Sequence, residues 1–137
     1  MSSGAVRTQA RSLAAASGWP AGLPFFETVN SAPSISSLPS TWFTLGFDGD
    51  SDDPISLGAT PTYNELGRIT LSLMGRAGLG DSAVIGLADQ IPPLIRTHLT
   101  AASIATRGIS PPQLVDDAAE GEFLRFDLII EYQRFHS

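Results

Sequence analysis

At 137 residues the chain is about one domain long, by the soft rule of roughly 150 residues per domain. With 42% apolar and 16% charged residues it can build one hydrophobic core, and it is neither a disordered tail nor a coiled coil. Eight arginines and no lysine stand against fourteen carboxylates, and the net charge of −6 argues against a positive face for duplex DNA or an anionic membrane. The absence of cysteine excludes disulfides, thiolate metal sites and a cysteine nucleophile. No apolar run approaches the roughly 18 residues of a membrane span and no Sec-type signal stretch is visible, so a soluble, non-exported chain is expected.

In chain order, Val6, Ala10, Leu13 and Ala14 lie at helical spacing, which predicts a short amphipathic helix over Ala5 to Ser17 ending at Gly18 before Trp19-Pro20. From Ser17 to Ser40, twelve of twenty-four residues are Gly, Pro or Ser, so residues 17–40 read as a long connection or arm with Phe25-Phe26 as its anchor. Thr41 to Phe47 is a strand, with Phe43, Leu45 and Phe47 on one face and Trp42 and Thr44 on the other. The acidic run Asp48-Gly49-Asp50-Ser51-Asp52-Asp53-Pro54 is expected to end it as a solvated loop. Leu66 to Arg76 alternates as a strand, with Ile69, Leu71 and Leu73 inward and Arg68, Thr70, Ser72, Met74 and Arg76 on a wet face. After Gly75 to Gly80, the residues Val84, Leu87, Ala88, Ile91, Leu94 and Ile95 predict a helix capped by Asp81 or Ser82 that Pro92-Pro93 must kink or restart. Ile104 to Arg107 and Ile109 form a candidate edge strand stopped by Pro111-Pro112. The closing strand carries Leu124, Phe126, Leu128, Ile130 and Tyr132 on one face and Arg125, Asp127, Glu131 and Gln133 on the other. The class is α+β: a single domain with a mostly antiparallel sheet flanked by helices.

Candidate chemistry is sparse. Gly75-Arg76-Ala77-Gly78-Leu79-Gly80 occupies the strand-to-helix position of phosphate loops, but a P-loop needs a Lys and a dinucleotide fingerprint needs G-x-G-x-x-G. It is read as a turn, with a small anion-binding domain kept as an alternative. Asp48, Asp50, Asp52 and Asp53 begin like an EF-hand, yet Asp53 stands where the Gly belongs and Ala59 where the Glu belongs. They are read as a contact element for a partner, not a metal site. G-x-S-x-G is absent, His98 and His136 read as surface or helix-end residues, and Asp116-Asp117, Glu120 and Glu122 sit in a solvated loop. No enzyme and no cofactor is expected. Arg68 and Arg76, against Asp127 and Glu131 of another strand or subunit, are candidates for complementary subunit contacts.

The order of elements resembles the tail terminator proteins of long-tailed bacteriophages over about residues 5 to 135. An N-terminal helix is followed by a Pro-rich connection reaching Val29-Asn30, then by Trp42-Phe43-Thr44-Leu45, Ile55-Ser56-Leu57-Gly58 and Leu66 to Leu73. Gly78-Leu79-Gly80 leads to Leu87-Ala88-Asp89-Gln90-Ile91, and Gly121 precedes the long strand Phe123 to Tyr132. Pro92-Pro93 inside the helix and the lack of a compact aromatic Pro-Asn motif before the first strand depart from the family pattern. The resemblance implies a sheet flanked by helices, and a six-membered ring that caps the tail tube, ends its growth and receives the head-completion or connector protein. It implies residence at the head-proximal end of the virion tail after assembly in the bacterial host cytoplasm. DNA would pass the ring without specific binding, and no membrane would be involved. The alternative within the same setting is another head-tail connector or a minor tail subunit.

Overall fold

The alternating segments pair as long antiparallel strands, and the helical segments cover one face of the sheet they make. The coordinates are a computed structural model, which describes residues 4–20, 23–25, 41–55, 58, 61–76, 81–114 and 123–136. The elements are α1 (Gly4–Arg11) continued by a 3-10 turn (Ser12–Ala15), β1 (Thr41–Pro54), β2 (Tyr63–Arg76), α2 (Asp81–Thr100), β3 (Ile104–Ile109), β4 (Gln113–Leu114) and β5 (Phe123–His136). The order across the sheet is β1-β2-β5-β3, with β4 also pairing β5, and each of these strand pairs is antiparallel. The fold is α+β.

Register lines the apolar positions into layers. Phe43 faces Leu73 and Leu73 faces Phe126; Leu45, Leu71 and Leu128 form the next row, and Phe47, Ile69 and Ile130 the one after. Against these rows lie Val6, Ala10 and Leu13 of the first helical segment and Ala88, Ile91, Ile95 and Leu99 of α2, all in one buried cluster. Burying a side chain of this size contributes about 1.5–3 kcal/mol, so the helices are held chiefly by this stripe. Gly18 takes φ +83° just past the turn, the left-handed ending expected there. Trp19 Nε1 donates to the Leu23 carbonyl at 2.9 Å, and the Phe25 ring lies 5.4 Å from that of Phe43, so the start of the connection is anchored on β1. Phe26 and residues 26–40 lie outside the described residues, as do Ala77 to Gly80 of the glycine turn, the carboxylates Asp116, Asp117, Glu120 and Glu122, and Gly121.

Two expectations are corrected. The acidic run is strand, not loop: β1 continues to Pro54, with Asp52 opposite Glu65 and Asp53 opposite Asn64. Its sequence is poor in strand formers, but β2 is already fixed on its other side by β5. The ladder to a fixed strand outweighs weak intrinsic preference. A register shift between Gly49 and Ser51 makes Asp50 the extra residue of a bulge. The second correction concerns α2, which does not restart at Pro92-Pro93 but is a single helix from Asp81 to Thr100 with both prolines inside it. Ile91 and Ile95 are fully buried on either side of the prolines, and their packing offsets the lost backbone hydrogen bonds. The edge strand is found as β3, ending before Pro111-Pro112, and β4 follows those prolines.

Candidate functional site

Because both helices pack on the same face, the opposite face of the sheet has no described element over it. Four rows cross it: Trp42, Met74 and Arg125; Thr44, Ser72 and Asp127; Gly46, Thr70 and Ile129; Asp48, Arg68 and Glu131. The pattern places Arg125, Asp127, Glu131 and Arg68 there, as the alternation predicts.

Within one copy Arg68 pairs with neither Asp127 nor Glu131. Arg125, two residues from Asp127 on the same strand face, forks onto it with Nε to Oδ1 at 2.9 Å and Nη2 to Oδ2 at 3.1 Å. Ser72 Oγ donates to the same Oδ1 at 2.8 Å. Asp127 is thus satisfied within its own sheet. Arg68 lies opposite Glu131 in register, yet its guanidinium reaches Asp50 at 3.4 Å, with both side chains about half exposed. An exposed pair of this length is worth little and can re-form elsewhere. Asp48 and Glu131 are exposed, and Arg76 is the last residue of β2. Among the described residues Asp48, Asp53, Arg107 and Glu131 have no ion partner.

The centre of this face is a depression of about 500 Å³ lined by Thr44, Gly46, Thr70, Ser72, Met74, Arg125 and Asp127. Thr44 and Ser72 are buried even though no described helix covers them. A second depression, about 290 Å³, is lined by Asp50, Arg68, Arg107 and Glu131 with Leu66, Gly67 and Tyr132.

Polar clusters also form that no sequence motif signals. On the helix side of β2, Glu65 is buried, accepts from the Tyr132 hydroxyl at 2.7 Å and meets Arg134 at 3.4 Å. Extending the period of two backwards from Ile69 through Gly67 would have placed Glu65 on the inward face. At the same end His136 contacts Asp52 at 2.8 Å and stacks on Tyr63. His98 is the helix-end residue expected, in the last turn of α2, but it is half-buried, with Nε2 2.8 Å from Ser12 Oγ and 3.1 Å from the Gln9 carbonyl. Ser12 to His98 is a nucleophile-to-base distance. The Ser12 hydroxyl, however, donates to the Gln9 carbonyl at 2.7 Å, and Gln9 Nε2 donates to the His98 carbonyl at 3.1 Å. With the hydrogen on Nε2 shared between Ser12 Oγ and the Gln9 carbonyl, these bonds form together, so the cluster clasps α1 to α2.

Among the described residues no three His, Cys, Asp or Glu side chains are grouped as metal ligands, and no helix is long and apolar enough to cross a membrane. The residues Asp48 to Asp53 spread along a strand and do not converge on a point as a calcium loop requires. No family model matches the chain, and no curated protein matches it.

Proposed function

We propose that the protein is a structural assembly protein of a phage or phage-like tail, closing the tail tube as a ring of identical copies and offering the surface to which the head attaches. The observation that carries this reading is the difference between the two edges of the sheet. One edge, β1, bears Asp48, Asp50, Asp52 and Asp53; the other, β3 and β4, bears the exposed Arg107 and the exposed Leu114. A ring of identical copies needs two unlike patches on opposite sides of each copy. The element order supports the same reading through its resemblance to tail terminators. A net charge of −6 lets DNA pass such a ring without adhering, because phosphates are repelled.

Native mass spectrometry of the protein alone and of tail tubes assembled with it tests the reading. The expected result is a closed ring seated on the tube. A chain that stays outside the tubes, or sits on them as single copies, overturns it. Charge reversal at Arg68 or Arg76 is expected to weaken assembly without unfolding the chain. Thermal stabilisation by inorganic phosphate would instead favour an anion-binding domain built on the turn after β2.

A further inference from the structure

We propose that the sheet face with no described element over it is a self-association surface, on which a second copy of this chain packs face to face about a two-fold axis parallel to the strands and lying between β2 and β5. This goes beyond the ring reading and stands without it. A two-fold contact closes on itself and cannot propagate round a ring of single copies, so it describes the protein before it meets a tube.

Register dictates the complementarity. An axis between β2 and β5 lays each β2 over the partner copy's β5, row upon row. The row of Asp48, Arg68, Glu131 and Gly108 then places Arg68 over Glu131 of the other copy, twice by symmetry. Asp48 comes over the neighbourhood of Gly108, next to the bulge residue Arg107, which lines the same depression as Arg68 and Glu131, again twice. Every charge of that row meets its opposite. Asp48, Arg107 and Glu131 have no ion partner among the described residues, and Arg68 has only a long, exposed contact with Asp50. In the next rows Thr70 meets Ile129 and Ser72 meets Asp127, so no like charges are apposed.

Drying this face costs little. Thr44 and Ser72 are already 7% and 6% exposed, and Asp127 is held by a bidentate arginine before any partner arrives. Three strands of 14 residues and the shorter β3, set about 4.8 Å apart, span a footprint of roughly 800 Å². A stable interface uses about 800 Å² per partner. Trp42, Met74, Ile129 and Leu66 supply apolar contact on the same face, and two sheets packing face to face is an ordinary architecture.

The test uses two single variants, Arg68→Glu and Glu131→Arg, with size-exclusion light scattering and native mass spectrometry as readouts. Wild type is expected to be dimeric. Each variant alone apposes like charges at both crossings and should weaken its dimer roughly tenfold or more. Mixed together, the two should form a heterodimer, because glutamate at 68 of one copy then meets arginine at 131 of the other, and the remaining crossing pairs a native Arg68 with a native Glu131. Circular dichroism of each variant confirms folding. A third variant, Gly46→Arg, fills the central depression; a Cβ at Gly46 comes no closer than 3.9 Å to another atom, so it should fold and block the dimer. A monomeric wild type, variants that dimerise as wild type does, or a mixture that gives no heterodimer each overturns the proposal. Ring formation is read separately on assembled tubes with Gly46→Arg, which leaves Arg68 and both sheet edges unchanged and should lose the dimer while keeping the ring.

Discussion

The Tyr132 hydroxyl donates to Oε2 of Glu65 at 2.7 Å, passing over the backbone of Gly67 on the neighbouring strand. A Cβ on Gly67 would stand 2.5 Å from that hydroxyl and 2.7 Å from the Asp48 carbonyl oxygen. The ring therefore occupies space that only glycine leaves open, and a buried carboxylate is satisfied through it. Gly67→Ala should destabilise by about 1–3 kcal/mol through overpacking. Tyr132→Phe should cost about 1–3 kcal/mol, because a buried acceptor loses a donor in a dry place. Chemical denaturation of both variants checks this; wild-type stability in Gly67→Ala would mean that the ring is not held there.

The two sheet faces should answer differently to truncation. Leu128 is fully buried, and Leu128→Ala should cost about 2–5 kcal/mol. Glu131→Ala, on the exposed row, should stay within about 0.5 kcal/mol at a fixed low protein concentration. Asp127→Ala lies between, at about 1–2 kcal/mol, because it removes the acceptor of the buried Ser72 hydroxyl. Equal losses at Leu128 and Glu131 would contradict a sheet with one buried and one exposed row of β5 side chains.

Replacing Asp48, Asp50, Asp52 and Asp53 together with Asn should leave the chain folded. The change weakens the long pair of Asp50 with Arg68 and the exposed pair of Asp52 with His136, each worth under about 1 kcal/mol. If the acidic edge closes a ring, the folded variant should fail to assemble on tubes. Isothermal titration with calcium should show no binding in the micromolar range, since the four carboxylates lie along an extended strand. Tight calcium binding would mean that the strand end rearranges around the ion.

The alternation of apolar residues made β2, β5 and the first half of β1 legible, together with the face that each residue takes, because period two is a property of the chain alone. The second half of β1 was not legible. Asp-Gly-Asp-Ser-Asp-Asp has no strand signature of its own, and it is ordered by Tyr63 to Gly67 across the ladder, a partner that local sequence does not name. The continuity of α2 through Pro92-Pro93 was hidden for a similar reason, since it depends on Ile91 and Ile95 being clamped from outside the helix. At the candidate site, alternation placed Arg68, Asp127 and Glu131 on one face, but the partner of Asp127 proved to be Arg125. A pair two residues apart on one strand face competes well with any pair across strands, and spacing alone does not rank the two.

The clasp at His98 gives a last measurable consequence. Gln9 and Ser12 tie α1 and its 3-10 turn to the end of α2, and both converge on the His98 ring or its carbonyl. His98→Ala removes the ring and leaves the Gln9-to-carbonyl bond, so the cost is about 1–2 kcal/mol, as for a typical half-buried hydrogen-bonding group. The apolar anchors Val6, Ala10 and Leu13 remain buried, and α1 should therefore stay docked but open more often. Hydrogen exchange of α1 amides should quicken by roughly tenfold, the factor for about 1.4 kcal/mol, while amides of β2 and β5 keep wild-type protection. Ser12→Ala should reproduce a smaller part of the effect, because the Gln9 carbonyl can still accept from the His98 ring. Unchanged α1 exchange in His98→Ala would show that the apolar stripe alone holds the helix and that the clasp contributes nothing.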